Sequence, residues 1–67
     1  MQITINNHVY TFDEETTLKN AVDSLQLEEK NGIALALNEV IIPRSEWNKT
    51  TLFDEDKIII IGAVAGG

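Results

Sequence analysis

The chain has no cysteine, one histidine and one proline in 67 residues, and only five Lys plus Arg against eleven Asp plus Glu. Each shortage excludes a class of function. Without cysteine there is no disulfide framework, no thiolate zinc site and no thiol nucleophile. A single histidine, His8, cannot assemble a His-based metal cluster, and a Ser-His-Asp device is not expected. A net charge of −6 and a pI near 4.4 oppose electrostatic binding of nucleic acid, which needs clustered Lys and Arg. The run Ile58 to Ile61 is far too short to span a bilayer, so no membrane partner is expected. The start Met1-Gln2-Ile3-Thr4-Ile5-Asn6 has neither a basic segment nor an apolar one, and a cytoplasmic location follows as the expectation.

What is present is aliphatic. A hydrophobic content of 43% argues against disorder despite the charge, and the length allows one domain. A core of this size gives roughly 3–5 kcal/mol of net stability and leaves little room for a deep catalytic pocket. The sequence therefore predicts a protein that is not itself an enzyme.

Hydrophobic periodicity predicts the elements. Ile3 and Ile5 alternate with polar residues as in a strand, Asn6-Asn7 tolerates the left-handed dihedrals of a tight turn, and Val9-Tyr10-Thr11-Phe12 returns as a second strand. Val9 and Phe12 lie on opposite sides of an ideal strand, so periodicity leaves open which of them faces the core. Thr16 or Thr17 can cap a helix whose apolar stripe is Leu18, Ala21, Val22 and Leu25, roughly two to three turns long. After a charged turn through Glu28-Glu29-Lys30-Asn31-Gly32, the period returns to two. Ile33, Leu35 and Leu37 point toward the helix, with Ala34 and Ala36 opposite. Asn38-Glu39 breaks this strand, and Val40-Ile41-Ile42 forms a short one ended by Pro43. Pro43 to Trp47 reads as a helical turn with Ser45 as its cap and Trp47 as a packing lid. Thr50 to Phe53 leads to the acidic turn Asp54-Glu55-Asp56, and Lys57 to Ile61 forms a last strand, apolar on both faces and hence central in its sheet.

One helix covers only one face of such a sheet. Two readings of the other face stand: short loops, Trp47 or Phe53 cover it, or part of it, including Ile59 and Ile61, docks a larger protein.

The chemistry points to the end of the chain. Gly62-Ala63-Val64-Ala65-Gly66-Gly67 carries no charge and little bulk, and extended it reaches roughly 20 Å. Gly66 and Gly67 lack a Cβ and can enter a narrow channel. The α-carboxylate, with a reference pKa of about 3.3–3.7, is ionised near neutrality and can be brought to the α-phosphate of ATP to form an acyl-adenylate. The expected organisation is a domain over 1–62 and a flexible tail over 63–67. Gly62 softens the exit from the last strand or marks a bulge.

These pieces together resemble a β-grasp, ubiquitin-like protein, and more narrowly the ThiS-type sulfur carriers of thiamine biosynthesis. The matching residues are Met1 to Asn6, Ala36-Leu37-Asn38-Glu39-Val40-Ile41-Ile42-Pro43-Arg44-Ser45 with Trp47, Leu52-Phe53-Asp54-Glu55-Asp56-Lys57-Ile58, and Ala65-Gly66-Gly67. The resemblance implies an α+β fold with a mixed four- to five-stranded sheet on one main helix. It also implies that a ThiF-like enzyme adenylates Gly67 with ATP, and that sulfur from a cysteine-desulfurase-derived persulfide converts the carboxylate to a thiocarboxylate. Thiazole synthase then receives that sulfur for the thiazole of thiamine. Gly66, Ala65, Val64 and Ala63 serve as the tail that enters the partner's channel. The carrier supplies no acid, base, metal ligand or bound cofactor. The same tail chemistry occurs in the molybdopterin-synthase small subunit, and ubiquitin-like modifiers share the Gly-Gly end, so both remain alternatives.

Of the remaining candidates, Arg44 lies in the stretch that carries the resemblance and either pairs structurally or contacts a partner. Trp47 beside it is packed or acts as an anchor. His8 reads as a surface residue. The runs Asp13-Glu14-Glu15 and Asp54-Glu55-Asp56 lack the ligand spacing of a calcium loop and read as solvated turns that can steer the chain toward a basic surface.

Overall fold

The computed structural model describes residues 1–25 and 32–62. The chain opens with strands β1 (Gln2–Ile5) and β2 (His8–Thr11), followed by helix α1 (Leu18–Asp23). Strands β3 (Ile33–Leu37) and β4 (Val40–Ile42) come next, then a 3-10 helix (Arg44–Lys49) and strand β5 (Lys57–Gly62). The five strands form one mixed sheet in the order β2-β1-β5-β3-β4. Strand β5 lies at its centre, parallel to β1 and antiparallel to β3.

Both hairpins turn on paired residues at positive φ, Asn6 (49°) with Asn7 (70°) and Asn38 (50°) with Glu39 (73°). This is the signature of the type I′ turn, whose twist matches that of the strands it joins. Asn38-Glu39 is thus a hairpin turn as well as a break. The register sets Ile3 opposite Tyr10, so Tyr10 faces the core with Phe12 packed beside it, their ring centroids 6.3 Å apart. Val9, opposite Thr4, faces outward and is 64% exposed.

Thr17 is the helix cap, its Oγ1 accepting from the Asn20 N–H at 3.2 Å. The helix is shorter than its apolar stripe suggests, six residues in all. After Asp23 the chain tightens: the Leu25 N–H donates to the Val22 carbonyl, three residues back, and the Ser24 hydroxyl donates to that of Ala21 at 2.6 Å. Leu25 packs on the core from beyond the helix. The charged turn expected over Glu28 to Asn31 lies outside the described residues.

The core sits between α1, the 3-10 helix and one sheet face. It gathers Ile3, Ile5, Leu18, Ala21, Val22, Leu35, Trp47, Leu52 and Ile58, all buried. Full burial of residues such as Leu18, Leu35 and Ile58 contributes about 1.5–3 kcal/mol each. Trp47 is the lid the sequence suggests, its Nε1–H donating to the Ile42 carbonyl at 2.9 Å. Ser45 is not the cap of its helix. Pro43 occupies that position, with extended backbone and no side-chain hydrogen bond, and its fixed φ presets the turn without a capping hydroxyl.

Candidate functional site

Paired residues in a sheet share a face, so the register identifies the surface turned away from the helix. Ile59 pairs with Ala36, Ile61 with Ala34, and Ala36 with Ile41. Ile41 is 57% and Ile61 47% exposed, whereas Ile59 is half-buried. The alanines of β3 keep the middle of this face shallow between Ile59 and Ile61 of β5 and Ile41 of β4. Trp47 is committed to the helix-side core and Phe53 is itself 70% exposed. Neither forms a cover, and among the described residues the face stays open at Ile41 and Ile61, with Ala36 buried between its neighbours.

Strand β5 carries this surface to the root of the terminal segment. Running parallel to β1, it leaves the sheet at the end marked by the Asn6-Asn7 turn, where Gly62 pairs in register with Ile33. That register excludes a bulge at Gly62, and a Cβ built there meets nothing within 4 Å. The tail candidates Ala63, Val64, Ala65, Gly66 and Gly67 lie outside the described residues.

Arg44 and Trp47 are brought together by the 3-10 helix, with the guanidinium carbon 4.5 Å from the ring centroid. The stacked arrangement holds an exposed Arg44 against the buried lid. His8 opens β2 opposite Ile5 and is exposed.

Sequence reasoning missed three side chains that finish the sheet's ends. Asn6 Oδ1 accepts from the Ile60 N–H at 2.8 Å, Asn38 Oδ1 from the Lys57 N–H at 3.0 Å, and Asp56 Oδ2 from the Phe53 N–H at 2.8 Å. Each residue was legible as turn-forming; the partners of Asn6 and Asn38 are set by the sheet, whereas Asp56 closes its own turn onto Phe53, three residues back. A depression of about 260 Å³ opens among Met1, Glu14, Phe53 and Asp54. Asp54 accepts from the Gln2 N–H at 2.7 Å, at the start of β1, which places the depression at the opposite end from the root of the tail. Among the described residues no group of three or more His, Asp or Glu side chains is placed to hold a metal ion.

A mixed sheet with its last strand at the centre, gripping one helix on one face, defines a β-grasp protein. The solved structure of the thiamine biosynthesis protein ThiS from Geobacter metallireducens has the same fold, with a TM-score of 0.85 over 100% of both chains at 23% identity. The ThiS family model matches residues 3–67, and the chain belongs to that family. It is also 31% identical over 67 residues, all of both chains, to the sulfur carrier protein ThiS of Escherichia coli strain K12.

Proposed function

We propose that this chain is a cytoplasmic sulfur carrier for thiazole formation, a protein co-substrate whose reacting atom is the terminal carbonyl carbon of Gly67. The observation that carries the reading is the match to the ThiS family over residues 3–67, which includes the terminal Gly66-Gly67. End-to-end identity with a sulfur carrier supports it.

In this reading a ThiF-like enzyme brings the Gly67 carboxylate to ATP. A carboxylate oxygen attacks the α-phosphorus, pyrophosphate leaves, and an acyl-adenylate forms. The terminal sulfur of a desulfurase-derived persulfide then attacks the carbonyl carbon and expels AMP. A second thiol cleaves the resulting acyl disulfide, forming a new disulfide with the donor cysteine and leaving a thiocarboxylate on Gly67. Thiazole synthase is the acceptor of that sulfur.

The chain's own residues contribute presentation. Ala63, Val64, Ala65 and Gly66 form a narrow tail over 63–67 that passes the partner's channel, since neither alanine nor glycine adds much width. The open face with Ile59 and Ile61 docks the partner's body, and Arg44, stacked on Trp47, is a separate polar contact. ATP belongs to the activating enzyme, and the carrier binds no cofactor.

Intact-mass measurement after incubation with activating enzyme, ATP and a persulfide source tests this. The expected product is heavier by the difference between sulfur and oxygen, and removing Gly67 abolishes it. A chain that gains no sulfur, or one that still transfers sulfur without Gly67, defeats the reading.

A further inference from the structure

Strand β5 is held unequally along its two edges as it approaches its end. On one side β3 accompanies it through Gly62, with Ala34 opposite Ile61 and Ile33 opposite Gly62. On the other side, β1 pairs with it only as far as Ile5 opposite Ile58. The last main-chain bond across that side runs from the Asn6 N–H to the Ile58 carbonyl at 3.0 Å. At Asn6 the backbone then swings into the left-handed region, φ 49°, and leaves toward β2.

The next donor on that edge is the Ile60 N–H, and it is satisfied by the Asn6 side chain, whose Oδ1 lies 2.8 Å away. One residue therefore bonds β5 twice, first through its backbone and then through its side chain. The side-chain amide oxygen stands where the carbonyl of a continuing β1 would stand. The turn alone does not require this. Glycine adopts a positive φ more readily than asparagine but has no acceptor to offer.

We infer that Asn6 is a positioning residue for sulfur transfer: its side chain extends β1 in place of main chain and aims the root of the C-terminal tail. Resting on the sulfur-carrier reading, this assigns to a residue at the far end of the sequence a role in how the Gly67 carboxylate is presented. Without the Oδ1 acceptor, β5 beyond Ile58 is held by β3 alone and its exit direction spreads. Docking of the body is unaffected, so the loss falls on the productive fraction of bound carrier.

Three full-length chains decide it: the unmodified protein, Asn6→Gly and Asn6→Asp. Glycine keeps the turn and removes the acceptor, and aspartate keeps both. The first readout is amide hydrogen exchange. In Asn6→Gly the Ile60 amide should exchange about tenfold faster, a factor consistent with loss of one hydrogen bond, while the Ile58 amide stays protected. The second is thiocarboxylate formation by a ThiF-type enzyme with ATP and a persulfide source. For Asn6→Gly, kcat should fall about fivefold with KM within about twofold, and Asn6→Asp should restore it.

Equal kcat in Asn6→Gly and the unmodified chain overturns the proposal. So does an equal fall in both variants, or a fall accompanied by lost protection at Ile58. An unmodified chain that gains no sulfur instead overturns the carrier reading, and the exchange data then report the anchor by itself.

Discussion

Asn38 closes both backbone groups of Lys57, its N–H donating to the Lys57 carbonyl at 2.8 Å and its Oδ1 accepting from the Lys57 N–H at 3.0 Å. Its Nδ2 also reaches Asp56 Oδ1 at 3.0 Å. The β3–β4 turn is thereby tied to the entry of β5. Asn38→Gly, which keeps the positive φ and removes the side chain, should cost about 1–2 kcal/mol. Urea unfolding checks this, and a midpoint equal to that of the unmodified chain would show the tie to be idle.

The neighbouring residue offers the opposite change. Glu39 sits at φ 73°, a conformation that costs a residue with a Cβ about 1 kcal/mol or more, and glycine follows asparagine in the most favoured turns of this type. Glu39→Gly should stabilise the chain by about 1 kcal/mol and raise Tm by several degrees. Thermal unfolding followed by circular dichroism measures it.

Trp47 carries both packing and a hydrogen bond. Trp47→Phe keeps much of the ring but strands the Ile42 carbonyl, with an expected cost of about 1–3 kcal/mol. Trp47→Ala, which empties a core position, should cost about 3–5 kcal/mol and leave little or no folded protein. If both variants lose the same stability in urea, the lid's volume is not what counts.

The open face separates stability from recognition. Ile61→Lys, at a position 47% exposed, should change stability by less than about 1 kcal/mol, whereas Ile58→Ala on the opposite face should cost about 2–5 kcal/mol. For thiocarboxylate formation, Ile61→Lys should raise KM about tenfold with little change in kcat. An unchanged KM would remove Ile61 from the docking surface.

The exposed pair Lys19–Asp23 is a contrasting case. Its ions are 2.7 Å apart, yet their side chains are 52% and 40% exposed. Lys19→Ala should alter stability by less than about 0.5 kcal/mol, as read from urea midpoints.

Much of the architecture was legible because burial imposes a period. Ile3 with Ile5, and Ile33 with Leu35 and Leu37, repeat every second residue. Leu18, Ala21 and Val22 follow a helical stripe, and the isoleucines of β5 required a strand covered on both edges. Three details were not legible, for physical reasons. Leu25 fits the stripe, but the helix ends before it because a serine hydroxyl and a three-residue bond tighten the chain there. Ser45 has a capping side chain, but proline already fixes the entry to that turn. Asn6 and Asn38 announce turns, while the strand amides they satisfy are distant in sequence, Ile60 and Lys57, and come within reach only once the sheet has assembled. For the proposed site, the sequence marked the terminal glycines, which lie outside the described residues, and the apolar strand leading toward them. It did not mark the residue that steadies the strand's exit.

The parallel pairing of β1 with β5 has a mechanical consequence. Gln2 and Gly62 lie at opposite ends of that adjacent pair, so tension between the chain's two ends runs along both strands. The bonds from Thr4 to Asp56 and from Asn6 to Ile58 are then loaded together in shear, and cannot be unzipped one at a time. Force applied between Gln2 and Gly62 therefore acts along the strands, not across them.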